Sequence, residues 1–137
     1  MRINMFLRKR ENGSNTIELA ILLPLVLVLL IGMLQLGIYM YGMSMVENAA
    51  RNGARAGSVA QACPVCEAQS SAHASLTGSA VISNFSIAIL APGGVVGSTL
   101  KIRVTAHIPM LVPGGEALGL GPLMTVTAEA TFRQEGW

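Results

Sequence analysis

The spacing of hydrophobic positions changes twice along the chain. Residues 19–41 form a nearly unbroken apolar run, in which Gln35 is the clearly polar side chain and Tyr39 and Tyr41 are two-faced. As a helix rising about 1.5 Å per residue, the run is about 35 Å long, enough to cross a hydrocarbon core of about 30 Å. Helices buried in soluble proteins seldom stay apolar on every side for so long. The pattern therefore predicts a membrane span at about residues 19–41.

The apolar run belongs to a longer predicted helix, residues 14–62, whose second half is amphipathic. Small residues recur there in two rows at four-residue spacing: Ala49, Gly53 and Gly57, and Ala50, Ala54 and Ser58. Each interior glycine costs about 1 kcal/mol relative to alanine, so close packing is expected to compensate. The partner of Gly53 and Gly57 is either the chain's own sheet or another helix. Nearer the span, we expect helix packing against other subunits at the remaining glycines: Gly32, Gly37 and Gly42.

The last part of the chain, residues 80–137, alternates with a period of two. Its clearest stretch is "LKIRVTAHI", which places apolar side chains on one face and polar ones on the other. One dry and one wet face are typical of an antiparallel sheet covered on one side, and three strands need such a cover to be stable. We therefore predict an α+β fold, in which the outer half of a long N-terminal transmembrane helix packs on a small, about three-stranded antiparallel sheet. The strand order stays open between a meander and a centrally inserted third strand.

Charge is unevenly distributed along the chain. Residues 1–13 contain four of the nine basic residues and one acidic residue, and they are predicted to be a separate basic leader. Basic residues before a span predict a cytoplasmic N-terminus, which places the C-terminal part outside. The basic cluster is short and aromatic residues make up only 4% of the chain. We therefore expect a lipid membrane, and no nucleic acid, as a partner.

Two cysteines, Cys63 and Cys66, begin the small and polar stretch of residues 63–79, which predicts a loop. A zinc site would need two more ligands. A redox pair normally lies at a helix N-terminus, whereas this pair is expected to follow the end of the long helix, where the dipole has the wrong sign. A structural disulfide suits an oxidising exterior. Serine-nucleophile and phosphate-loop motifs are absent from the sequence, so it predicts a protein that is not an enzyme and has no cofactor or metal.

One carboxylate, Glu18, lies at the edge of the apolar run. It is costly there unless solvated or paired. One interpretation is that it lies among lipid headgroups, near the positive end of a helix. It is also the fifth residue after Gly13, so cleavage there would give Ser14 an α-amino group that could pair with Glu18 of an adjacent subunit. Pro24 removes the hydrogen bond to the carbonyl of Ala20 and predicts a kink.

These features together resemble a known signal and a known family. The leader ending "LRKRENG", then "SNTIE", then the apolar run resembles the class III signal of type IV pilin-like proteins. "IELAILLPLVLVLLIGMLQLG" and "NAARNGARAGS" resemble the TadE-like family of the Tad (tight adherence, Flp-type) pilus machinery. The resemblance covers roughly residues 8–58.

The resemblance implies a minor pilin or pseudopilin. Gly13 and Ser14 would flank the bond cut by a prepilin peptidase, and Glu18 would serve processing or subunit register. Other pilin subunits, the peptidase and the inner-membrane pilus platform would be partners. The chain would cross the bacterial inner membrane once, with its C-terminus periplasmic, and enter the extracellular pilus after processing. Two alternatives stay open: an uncleaved membrane-anchored assembly or secretion factor, and a membrane-tethered thiol oxidoreductase that uses Cys63 and Cys66.

Overall fold

The computed structural model describes residues 11–111 and 123–135, with side chains from residue 16 onward. In chain order its elements are α1 (Glu11–Val59), α2 (Pro64–Leu76), β1 (Asn84–Pro92), β2 (Thr99–Pro109) and β3 (Leu123–Arg133). The predicted α+β class, a long apolar N-terminal helix with a small antiparallel sheet, is confirmed. The chain divides into two units, Met1–Leu34 and Gln35–Trp137. We call the second the folded unit.

In the first unit, α1 is an exposed apolar helix. Every side chain of residues 16–34 is exposed, including Leu19, Leu25 and Val28. By length and composition α1 can cross a membrane. Since the apolar side chains of this stretch are uncovered, a membrane anchor is the role that its surface suits.

The sheet is a meander over the described residues, with β2 between β1 and β3 and both pairings antiparallel. This settles the strand order that the sequence left open. The connection from β1 to β2 is a short turn in which Gly93, Gly94 and Gly97 have positive φ. Glycine adopts that backbone conformation without steric cost, so the chain can reverse directly and pair successive strands.

The dry face of β2 is the centre of the core. Its inward side chains, Leu100, Ile102, Val104, Ala106 and Ile108, are all fully buried. The core continues into the small side chains of α1 and α2, which include Ala49, Ala50, Ala54, Ala68 and Ala72. The sheet is thus covered on one side by helices, as the alternation in β2 predicts.

Residues 63–79 are mostly helix, and the predicted loop is wrong. Helix α2 begins at Pro64, a residue tolerated at the first helical position, and its buried side is Ala68, Ala72 and Leu76. Two of these three side chains are alanines, whose weak apolar signal is hidden among serines that favour loops. Packing on the rest of the fold stabilises the helix, a contribution that local propensity does not report. Helix α1 also differs from its predicted bounds, since it begins at Glu11 and ends at Val59.

The apolar run of residues 19–41 divides between two environments. Up to residue 34 its side chains are exposed, but Ile38 and Tyr39 pack against the core of the folded unit. Gly42, one residue beyond the run, is buried. Hydropathy is the same whether an apolar side chain faces lipid or a sheet, so the sequence could not place this division.

Candidate functional site

Two glycines of α1 bring its backbone against α2. A Cβ on Gly53 would lie 2.7 Å from the carbonyl oxygen of Ala68, and one on Gly57 would lie 2.7 Å from that of Pro64. Cβ atoms essentially never approach other atoms this closely, so only glycine fits. Both positions also face β2 side chains, those of Ile102 and Leu100. Gly53 and Gly57 therefore pack within their own chain, against α2 as well as the sheet.

The three other glycines of α1 differ among themselves. Gly42, expected to contact other subunits, instead lies against the side chains of Ile108 and Val81 of its own chain. That prediction is wrong because the folded unit already covers α1 at this height. A Cβ on Gly32 or Gly37 would have no described neighbour within 4 Å. Subunit packing at these two glycines stays a prediction.

Cys63 and Cys66 are joined as a disulfide at the start of α2. Cys63 is the N-cap residue, and its Sγ accepts a hydrogen bond from the backbone N–H of Cys66 at 3.2 Å. The pair therefore lies at the N-terminus of α2 as well as beyond the end of α1. The sequence predicted only the second position, since it did not predict α2. Within the described residues no group of three His, Cys, Asp or Glu side chains could hold a metal ion.

The position at the N-terminus of α2 removes the helix-dipole argument against a redox pair, but the contacts of the disulfide favour a structural role. It closes the turn that leads into α2, and the carbonyl of Pro64, within that turn, lies against Gly57. Fixing this turn holds the first residues of α2 where they contact α1. A covalent loop this short stabilises a fold by about 2 kcal/mol at most in the chain-entropy account.

Replacing both cysteines, as Cys63→Ser with Cys66→Ser, is expected to lower the unfolding temperature and to leave thiol–disulfide exchange unchanged. The loss should be about 2 kcal/mol or less. Thermal unfolding measures the first effect and insulin reduction the second. Reductant serves as the control, since it should lower the wild type to the transition of the double variant and leave the variant unmoved. Insulin reduction by the wild type that disappears in the variant would show a redox-active pair instead.

The wet face of the sheet carries a three-residue ionic cluster across β2 and β3. Glu129 lies opposite Arg103 in the register, and its carboxylate is 2.7 Å from Nζ of Lys101 and 2.6 Å from Nε of Arg103. Hydrogen bonds from Lys101 and from Arg103 hold the pKa of Glu129 below its ordinary value. All three side chains are partly exposed, so solvent and salt screen the pairs.

The variant Glu129→Gln is expected to lose less stability than the wild type as the pH falls. Because its pKa is lowered on folding, Glu129 stabilises the protein above the unfolded-state pKa, and this contribution is lost as pH falls through the lowered folded-state pKa. Unfolding temperatures between neutral pH and pH about 3 measure it. Glu135→Gln, which removes the same formal charge from an exposed position, is the control. Equal acid sensitivity of wild type and Glu129→Gln would contradict the assignment.

The residues predicted to act in processing and register lie in the first unit. Gly13 and Ser14 are within the helical backbone of α1, with side chains outside the described set. Glu18 is exposed, and Pro24 lies inside the helix. Their roles in cleavage and subunit register, and the kink at Pro24, stay predictions.

The sequence shows Gln35 as a polar residue within the apolar run but does not predict its partners. Its Oε1 accepts a hydrogen bond from the backbone N–H of Leu111 at 2.8 Å, and its Nε2 lies 3.9 Å from Sδ of Met124. The signal was available, because Gln35 is the clearly polar residue in the apolar run. Its partners lie 76 and 89 residues away along the chain, which only the tertiary structure shows.

Comparison with known proteins finds one match to a protein family. Residues 13–55 match the family model described as TadE-like protein. This stretch of the chain is TadE-like. The resemblance drawn from its sequence is thereby confirmed over the matched residues, which we call the TadE-like segment. Neither a curated protein nor a solved structure matches the chain.

The TadE-like segment contains much of α1. It includes Glu18, Pro24 and Gly53, and it ends before Gly57, α2 and the sheet. The family indicates a Tad pilus-associated protein and is not an enzyme family. With the exposed apolar stretch of residues 16–34, it also indicates membrane anchoring.

Proposed function

We propose that this protein is a TadE-like minor pilin, or pseudopilin, that takes part in assembling a Tad pilus. The observation that carries the proposal is the TadE-like segment on a helix whose residues 16–34 are apolar and wholly exposed. Such a helix needs lipid or other apolar helices around it. A pilin subunit uses both surroundings in turn, first the inner membrane and then the helical bundle of the filament.

The proposed mechanism begins at the bond between Gly13 and Ser14. A prepilin peptidase hydrolyses this peptide bond with one water, leaving a carboxylate on Gly13 and an ammonium on Ser14. The basic leader stays in the cytoplasm, and residues 14 onward remain anchored in the inner membrane with the folded unit in the periplasm. Other pilin subunits and the inner-membrane pilus platform then receive the mature chain.

Glu18 and Ser14 would set the register of the incoming helix. In an apolar bundle a lone carboxylate is costly, and a neighbour's ammonium would neutralise it. The partner charge appears only after cleavage, so the uncleaved chain would lack the pairing group. Charge pairing would thus make assembly depend on processing.

N-terminal sequencing of membrane-purified protein, produced with and without a prepilin peptidase, tests the proposal. With the peptidase, the protein is expected to start at Ser14, and the variant Gly13→Leu is expected to keep the leader. Protein that starts at Met1 in both preparations would contradict the proposed pilin function. It would favour the uncleaved membrane-anchored factor, which has the same anchor and the same folded unit.

A further inference from the structure

Gln35 ties α1 to the end of the sheet where β2 finishes and β3 begins. Both polar atoms of its side-chain amide are hydrogen-bonded: Oε1 accepts from the backbone N–H of Leu111, and Nε2 donates to Sδ of Met124. Leu111 lies two residues beyond the end of β2, and Met124 is the second residue of β3. This end of the sheet is therefore held against α1 at the height of Gln35.

Three exposed leucines lie at this end of the fold, each at or next in sequence to a residue of the junction. Leu36 follows Gln35 in α1, Leu111 is hydrogen-bonded to it, and Leu123 precedes Met124. Their exposed fractions are 59%, 55% and 45%, respectively. We call these three residues the leucine patch. Several large apolar side chains exposed at one end of a fold are typical of a region that contacts lipid or a partner.

The length of the exposed helix indicates which of these it is. Between Glu18 and Gln35 lie 16 residues, 19–34, all exposed. As a helix they extend about 24 Å, which is about 6 Å less than a hydrocarbon core of about 30 Å. A bilayer accommodates a short apolar stretch by covering further residues or by thinning. Toward the N-terminus Glu18 and the basic leader oppose such an extension, whereas toward the C-terminus the next residues bear the leucine patch.

The N–H of Leu111 and the side-chain amide of Gln35 are hydrogen-bonded within the protein, which lowers the cost of removing them from water. Backbone N–H groups and side-chain amides entering lipid must be hydrogen-bonded within the protein. The N–H of Leu111 donates to Oε1 of Gln35, and Nε2 of Gln35 donates to Sδ of Met124.

From this geometry we infer that the leucine patch is a lipid-contact surface, which rests in the interfacial layer of the membrane on the side of the folded unit. The inference rests on the membrane anchoring in the proposed function. It moves the boundary of the anchor from residue 41 to about Gln35, with the end of the sheet seated on the lipid. A lipid surface, not a second protein, is the stated partner.

Single tryptophan probes in the full chain, reconstituted in phosphatidylcholine vesicles, test the inference. The native tryptophan is first removed as Trp137→Phe. Leu111→Trp and Leu123→Trp probe the patch, and Leu29→Trp probes the span. Val95→Trp is the matched control, because Val95 is 71% exposed in the turn at the other end of β2. Quenching is measured with aqueous acrylamide and with phosphatidylcholines brominated near the headgroup or deep in the chain.

We expect both patch probes to be quenched best by the shallow bromines and to be several-fold less accessible to acrylamide than Val95→Trp. Leu29→Trp should be quenched best by the deep bromines. Patch probes as accessible to acrylamide as Val95→Trp, while Leu29→Trp is still quenched by lipid, would overturn the patch and leave the anchor intact. A Leu29→Trp probe that lipid does not quench would overturn the anchor and the patch together. Because all four probed side chains are exposed, tryptophan should be tolerated at each.

Discussion

Gly57→Ala is expected to destabilise the folded unit, although alanine is the better helix former. Helix propensity alone would favour the variant by about 1 kcal/mol. The added Cβ, however, would lie 2.7 Å from the Pro64 carbonyl oxygen and 2.8 Å from Cβ of Ala68. Both belong to the backbone or the base of a side chain in α2, so relief requires α2 to move away from α1. Such overpacking costs roughly 1–3 kcal/mol or more.

We therefore expect a net loss of about 1–2 kcal/mol for Gly57→Ala and a larger loss for Gly57→Leu. Thermal or denaturant unfolding of the detergent-solubilised chain measures both. Gly53→Ala should behave in the same way, because its Cβ would meet the Ala68 carbonyl oxygen at 2.7 Å.

Two other glycines of the same helix are matched controls. A Cβ on Gly37 would have no described neighbour within 4 Å, so Gly37→Ala should be neutral or slightly stabilising. At Gly42 the nearest atom is the flexible end of the Ile108 side chain, so the cost should be intermediate. Equal effects at Gly37 and Gly57 would show that propensity, rather than the contact of α1 with α2, decides the outcome.

Glu18→Ala is expected to leave leader removal intact and to abolish most pilus assembly. In the proposed bundle the Ser14 ammonium of a neighbouring subunit would lose its partner carboxylate. Breaking a buried pair by removing one member costs about 3–5 kcal/mol, because an uncompensated charge remains. That penalty would recur at every subunit contact that uses the pair.

Gel mobility reports leader removal, and electron microscopy with immunoblots of sheared pili reports assembly. Glu18→Gln, which keeps the shape and removes the charge, should fail in the same way. Glu11→Ala is the control, since Glu11 would be discarded with the leader and should have no effect on mature subunits. Normal piliation by Glu18→Ala would exclude the pairing with Ser14.

Several features could be predicted from the sequence because they depend on periodicity along one segment. The alternation of Leu100 through Ile108 with polar residues predicts both a strand and the side that it buries. The apolar run predicts a helix with an affinity for lipid. The TadE-like segment was recognisable because its motifs are contiguous, from Glu18 through Pro24 to the Ala-Ala-Arg block near residue 50.

The candidate site needed more than periodicity, since its parts come together from distant segments. Helix α2 was missed because its buried stripe is largely alanine, which predicts little until α1 lies against it. That omission also misplaced Cys63 and Cys66, whose dipole environment depends on the helix that follows them. Gly42 was assigned to other subunits because the sequence does not show that Ile108 of β2 lies opposite it.

The sequence by itself determined a strongly apolar N-terminal helix, an α+β class, the dry and wet faces of β2 and a TadE-like resemblance. Each of these follows from local order of residue types, which is fully present in the chain. Only the tertiary structure decided the meander, the packing of Gly53 and Gly57 on α2, and the division of the apolar run at Gln35. Burial, close approach and the partner of a polar group are properties of two segments together, so neither segment contains them alone.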